Sequence, residues 1–133
     1  MLGLIPLLII PFLVYNLGLA GVFGAADAPF AGAVFSMQMM SGGVFTLTVA
    51  DLILVVALVL LFLEILKATR THNASVVDHL LSTFVFVAYL VEFLLVQGAA
   101  TSLFFILMVI ALVDVLAGFT VSLRAAGRDV TFQ

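Results

Sequence analysis

The sequence predicts an all-α integral membrane protein: a single membrane domain folded as a four-transmembrane-helix bundle, with its N-terminus and C-terminus cytoplasmic. Three observations carry that expectation. Of 133 residues, 66% are hydrophobic and 8% charged, against roughly 25% charged in ordinary soluble domains. Four apolar runs approach the ~20 residues needed to cross the hydrocarbon of a bilayer. All four basic side chains fall in two places that an even number of spans puts on one side. Seven acidic and four basic groups are too few to cover a water-exposed surface, which excludes a soluble globular domain and a disordered tail. Four scattered Lys and Arg make no nucleic-acid footprint either. With no Cys, disulfides, thiolate metal sites, iron–sulfur clusters and Cys nucleophiles are excluded.

The first expected span covers residues 2–22. Gly24, Ala25 and Ala26 follow it, as small residues do at a signal-peptide cleavage site. No basic segment precedes the apolar run, however, and Pro6 and Pro11 interrupt it. The run is therefore read as a genuine helix, kinked near Pro11, where the ring and the missing N–H break the ladder. Residues 23–44 form the outer connector. They are rich in Gly and Ala, with Phe30, Val34, Phe35, Met37, Met39 and Met40. They read either as a short amphipathic helix lying in the interface or covering the bundle mouth, or as a loosely structured apolar connector. The second span covers residues 45–66, a polar cytoplasmic loop 67–76, and the third span 77–96. Residues 97–102 are short enough only for a tight turn, so the last two helices should form an antiparallel hairpin. The fourth span covers residues 103–123, followed by a cytoplasmic tail, 124–133.

Orientation follows from the basic residues. Lys67 and Arg70 stand in the second connection, and Arg124 and Arg128 follow the fourth span; positive charge stays cytoplasmic. Compactness and that charge bias give the expected location, a bacterial inner (plasma) membrane.

Acids inside a span are costly, about 2.5–3.5 kcal/mol at a helix centre, and usually face a partner or a cavity. Glu64 and Asp78 lie near cytoplasmic helix ends, where pairing with Lys67 and snorkelling explain them. Asp51, Glu92 and Asp114 need another account. At ~1.5 Å per residue, Asp51 lies about 9 Å and Glu92 about 6–8 Å from the outer helix ends, and Asp114 about 16 Å deep. Tyr15 and Asn16 fall near the first two. The expected interior polar cluster is Asn16, Asp51, Tyr89, Glu92 and Asp114, with Asp114 beneath the rest. Helical phase agrees on the third span, where Asp78, Ser82, Val85, Tyr89 and Glu92 form one stripe within about 40°. On the fourth, Ala111, Ala117 and Gly118 flank Asp114 and make a small-residue face suited to close helix packing.

Other chemistries find no support. His72 and His79 are too shallow for a bis-His haem, and with Asp78 they match no metal-ligand motif. Gly18, Gly21 and Gly24 lack the Lys-Ser/Thr of a phosphate loop. No deep His could activate a serine. Asp51 and Asp114 differ in depth by about 7 Å and have no Gly-x-Gly-Asp motif around them, which speaks against an intramembrane aspartyl protease. The small multidrug resistance transporters and small fluoride channels also have four short spans. The first span here has no acid to serve as the essential Glu of the former, and the Gly/Asn/Arg pattern of the latter is missing.

No enzyme activity, metal or cofactor is expected, with a bound lipid or quinone left open. The partners expected are the bilayer and either other membrane subunits or further copies of the chain, and no nucleic acid. The leading functional expectation is an accessory or scaffold subunit of a larger membrane complex. A small proton- or cation-coupled transporter or channel using the intramembrane carboxylates comes second. A lipid- or quinone-binding protein is third.

Overall fold

The computed structural model describes residues 5–22, 28–69 and 72–131, with backbone alone at 72–76, 122 and 124–131. The described chain is mostly helical: α1 (Ile9–Leu19), a β-hairpin of β1 (Ala33–Gln38) and β2 (Val44–Thr48), then α2 (Val49–Ala68), α3 (His72–Leu95) and α4 (Ser102–Thr131). Three helices are long and apolar enough to cross a membrane, over Val49–Ala68, Val77–Leu95 and Ser102–Val121.

α1 is shorter than the expected span. Its 11 residues rise about 16 Å, half of a ~30 Å hydrocarbon layer. Both ends have local causes. Pro6 has no N–H to give, and the chain enters through a turn in which Ile9 N–H donates to Pro6 O and Ile10 N–H to Leu7 O. Pro11 is the third helical residue, where an N–H would have no intrahelical partner anyway. It therefore belongs to the first turn of the helix, and the kink expected there is corrected. At the other end Gly21 has φ +94°, Val22 N–H donates to Leu17 O and Gly21 N–H to Gly18 O. This is a Schellman stop, open to Gly because a Cβ disfavours that φ.

The connector holds the largest correction. In place of an interfacial helix or loose segment, β1 and β2 pair antiparallel, with a register irregularity between Ala33 and Phe35. The chain reverses at Gly42, φ +92°, closed by Met39 N–H to Gly43 O at 2.7 Å. Alternation in Phe35-Ser36-Met37-Gln38 and Phe45-Thr46-Leu47-Thr48 has the period of a strand. Because β2 takes residues 44–48, α2 starts at Val49 rather than Phe45.

A capping box makes that start sharp. Thr48 Oγ1 accepts from Asp51 N–H at 3.2 Å and Asp51 Oδ2 accepts from Thr48 N–H at 3.0 Å. Val49 and Ala50 N–H donate to Gly32 O and Phe30 O, which ties the base of the hairpin to the helix. Thr48→Ala is expected to cost about 1 kcal/mol, measured as a lower unfolding midpoint in a denaturing-detergent titration.

The expected polar loop shrinks as well. α2 runs to Ala68 and α3 begins at His72, so most of the polar residues expected in the loop lie in the ends of the two helices. Arg70 lies outside the described residues, and Arg124 and Arg128 lie on the described backbone of α4 only. That helix continues past the expected Leu123 to Thr131, so the described part of the tail is helical. Between α3 and α4, Gln97–Ala99 form a 3-10 turn. Thr101 Oγ1 then accepts from Phe104 N–H at 3.2 Å, an N-cap that starts α4.

α3 and α4 pack along their length and α2 lies against α4. The core joins three stripes: Ile53 and Ala57 of α2, Val85 and Tyr89 of α3, and Leu103, Phe104, Leu107, Ile110 and Ala111 of α4. α1 sets Leu8 and Tyr15 into it. Phe104 is the hub, with ring centroids 4.7 Å from Tyr15, 5.3 Å from Tyr89 and 6.3 Å from Phe12. The outward faces are apolar, with Leu52, Val55, Val56, Leu58, Val59, Phe62 and Leu63 of α2 all exposed. Such a surface suits lipid rather than water.

Candidate functional site

The stripes of α2, α3 and α4 each end in an acid at the end of the bundle away from the hairpin. On α2, Ile53, Ala57 and Glu64 follow helical spacing. On α3, Asp78 and Ser82 continue Val85 and Tyr89. On α4, Asp114 continues Leu107, Ile110 and Ala111. All three carboxylates are buried, with Glu64 1%, Asp78 7% and Asp114 6% exposed.

Among the described side chains, one ammonium serves them. Lys67 Nζ donates to Glu64 Oε1 at 3.0 Å and stands 3.3 Å from Asp78 Oδ1. Asp114 is hydrogen-bonded to Ser82 and lies within electrostatic reach of Glu64, Asp78 and Lys67. The chain before α1 closes the cluster: Leu7 N–H donates to Glu64 Oε1, and Ile5 O accepts from Lys67 Nζ at 2.8 Å. Glu64 Oε2 is buried with no hydrogen-bond partner. Nearby, the Nδ1 of His79 is buried without one too, 3.4 Å from where a Cβ on Gly118 would stand.

At the opposite end is a second, smaller polar layer. Tyr15 Oη donates to Gly98 O at 2.8 Å and is 2.8 Å from Thr101 Oγ1. The Asn16 side chain lies against the Glu92 carboxylate, and Asn16 Nδ2 also donates to Phe12 O. Between the layers sit Phe12, Tyr89 and Phe104, packed ring on ring. The one hydroxyl in that partition, Tyr89 Oη, donates to Leu8 O at 2.8 Å.

No family model, curated protein or solved structure matches this chain.

The five residues expected to meet as one polar cluster are distributed over four places. Asn16 and Glu92 meet in the layer beside the 97–101 turn. Tyr89 lies in the aromatic partition. Asp51 is outside the interior, holding the N-terminus of α2 with Thr48. Asp114 is not a lone acid beneath the others; it belongs with Glu64 and Asp78. The Ala111, Ala117 and Gly118 face is taken up inside the chain: Ala111 is buried and Gly118 stands against His79 of α3.

By sequence spacing Glu64 is expected to be a snorkelling partner of Lys67. The pairing is present, but the carboxylate is interior. Its spacing from Ala57, seven residues on a helix, was the available signal. Among the described residues no group of three His, Cys, Asp or Glu has the arrangement to hold a metal ion. Two open apolar grooves flank α1, one of about 290 Å³ between Pro6, Ile9 and Phe12 and the α3 residues Leu81, Phe84 and Ala88. The other, about 150 Å³, lies between Pro11, Val14, Leu52 and Val56.

Proposed function

We propose that this chain is a small proton- or cation-coupled membrane transporter or channel whose Glu64–Lys67–Asp78–Asp114 cluster takes up and releases a proton. The observation that carries the reading is the ratio, among the described side chains, of one ammonium to three buried carboxylates. Full ionisation would leave an interior charge of −2, and unpaired interior charge is expensive. A proton is the smallest species that can remove part of it without a built coordination shell. Ser82, Tyr89 and Glu92 continue the α3 stripe from this cluster to the second polar layer, so the groups that could pass a proton lie on one helix face. Because Leu7 N–H and Ile5 O bind the same cluster, a change of charge there would alter the hold on the chain before α1.

In this reading α1 and its flanks make a fourth crossing, since they reach from the carboxylate cluster at Ile5 to the opposite layer at Tyr15. Both termini then face the cytoplasm with Lys67, in a bacterial inner membrane, by the charge rule. The protein is assigned transport and not catalysis. The test is proton movement into proteoliposomes under an imposed potential, read by an internal pH dye. Asp114→Asn keeps the side-chain shape and is expected to abolish the flux while leaving thermal unfolding in detergent unchanged. Equal flux in wild type and variant, or none in either, would make the cluster structural.

An accessory role in a larger membrane complex is the second reading, favoured by α4. Its helix runs ten residues past the apolar window that ends at Val121, and an isolated helical extension in water is marginal without something to pack on. Native mass measurement after gentle extraction tests this reading, which a lone monomer with full flux would defeat.

A further inference from the structure

The β-hairpin has two chemically different faces. Cross-strand partners point to the same side of a sheet, and the register pairs Phe35 with Leu47 and Met37 with Phe45, alternating with Ser36–Thr46 and Gln38–Val44. One face thus carries Phe35, Met37, Phe45 and Leu47, with the Phe35 and Phe45 rings 6.3 Å apart. The other carries Ser36 and Thr46, whose hydroxyls stand 3.3 Å apart, and Gln38, with Val44 beside it at the turn end. Among the described residues the apolar face is largely open: Phe35, Met37 and Phe45 are each more than two-fifths exposed and Met40 at the tip is fully so, while Leu47, next to α2, is half-buried.

We infer that this hairpin is a membrane-interface element that lays its Phe/Met face into the upper acyl region of the phospholipid layer beside α2. Three observations select lipid as the occupant. From residue 28 to residue 50 the chain has no Asp, Glu, Lys, Arg or His, so the hairpin offers no ionic group to a protein partner or a headgroup. β2 passes into α2 with no intervening residue, and the exposed apolar surface of the hairpin is continuous in the chain with that of a helix able to span the membrane. The capping box at Thr48 and Asp51 and the bonds from Val49 and Ala50 to Gly32 and Phe30 fix the hairpin at the helix N-terminus. That is the level where hydrocarbon gives way to the interface. Amphipathic elements with an apolar face and no charge bind there through buried area alone, and the outer strand edges remain within reach of hydrated headgroups, as unpaired backbone requires. Attachment should therefore be the same on zwitterionic and anionic lipid and insensitive to salt.

The inference rests on the membrane placement of α2 in the proposed function, and the experiment separates the two. The protein has no Trp, so single-Trp variants report without background. Phe45→Trp, Thr46→Trp and Leu58→Trp would be placed in phosphatidylcholine vesicles brominated high or deep on the acyl chains. Leu58→Trp, exposed midway along α2, should be quenched by the deep label. Phe45→Trp should lose most of its emission to the shallow label, and Thr46→Trp should keep most of its own and respond to aqueous iodide. If Leu58→Trp is quenched while Phe45→Trp is not, the hairpin face is covered by protein or open to water, and the inference fails alone. No quenching at Leu58→Trp overturns the membrane placement itself. Equal quenching at Phe45→Trp and Thr46→Trp would remove the two-faced insertion.

Discussion

Replacing Lys67 by Met is expected to give the largest loss of stability of any single substitution in the chain. The variant keeps an apolar stem of similar length and removes the one positive charge that, among the described residues, stands beside Glu64 and Asp78. Breaking a buried ion pair by deleting one partner costs about 3–5 kcal/mol. The Lys67 side chain is 20% exposed, so the loss should fall at the lower end of that range. The signature is its pH dependence. A neutral carboxyl needs no counter-charge, and the deficit should narrow as the medium is acidified. Adding Glu64→Gln should recover part of the loss, and a double-mutant cycle on unfolding in detergent would give the coupling. An unfolding midpoint unchanged from wild type at neutral pH would mean that water already screens the three acids.

Phe104→Ala is expected to be the most damaging change that touches no charge. Its ring is fully buried and contacts those of Phe12, Tyr15, Tyr89 and Phe93. In water-soluble cores Phe→Ala costs about 3–5 kcal/mol, the sum of a transfer part and a cavity part. Between membrane helices the transfer part is small, because lipid is as apolar as the core. The expected loss is therefore below that range and comes from the void. Phe104→Leu, which fills more of the space, should lie between wild type and Ala. A loss at or above the water-soluble figure would show that this end of the bundle is solvated when it opens.

The helices were legible because a long apolar run has few other outcomes, and the α3 stripe was legible because five residues at spacings of four and three define a direction. What failed was the combination of depth with face. Asp51 and Asp114 were placed by distance along their helices, with α2 started at Phe45. Residues 44–48 are strand, so the origin of that scale was wrong. The Thr48-x-x-Asp51 spacing of a capping box was present in the sequence, but a long apolar reading of α2 hid it. For Asp114, position along the helix does not reveal that Glu64 and Asp78 turn toward it. That depends on which stripes face each other across three helices. The hairpin was missed for a related reason: period-two alternation over five or six residues is a weaker signal than the apolar run into which it leads.

The bonds made by residues 5–15 bear on the order in which the molecule can assemble. Leu7 is joined to Glu64 across 57 residues, Ile5 to Lys67 across 62, Tyr15 to Gly98 across 83 and Leu8 to Tyr89 across 81. None of these partners exists when the first segment leaves the ribosome. Residues 5–15 are therefore made before the groups that satisfy them: they wait, with the Leu7 N–H and the Ile5 and Leu8 carbonyls unmatched, until the α3–α4 hairpin is in place. Contacts of such sequence separation close late in folding. A chain released before residue 101 would lack the Thr101 contact of Tyr15 and the whole of α4, leaving α1 without its seat.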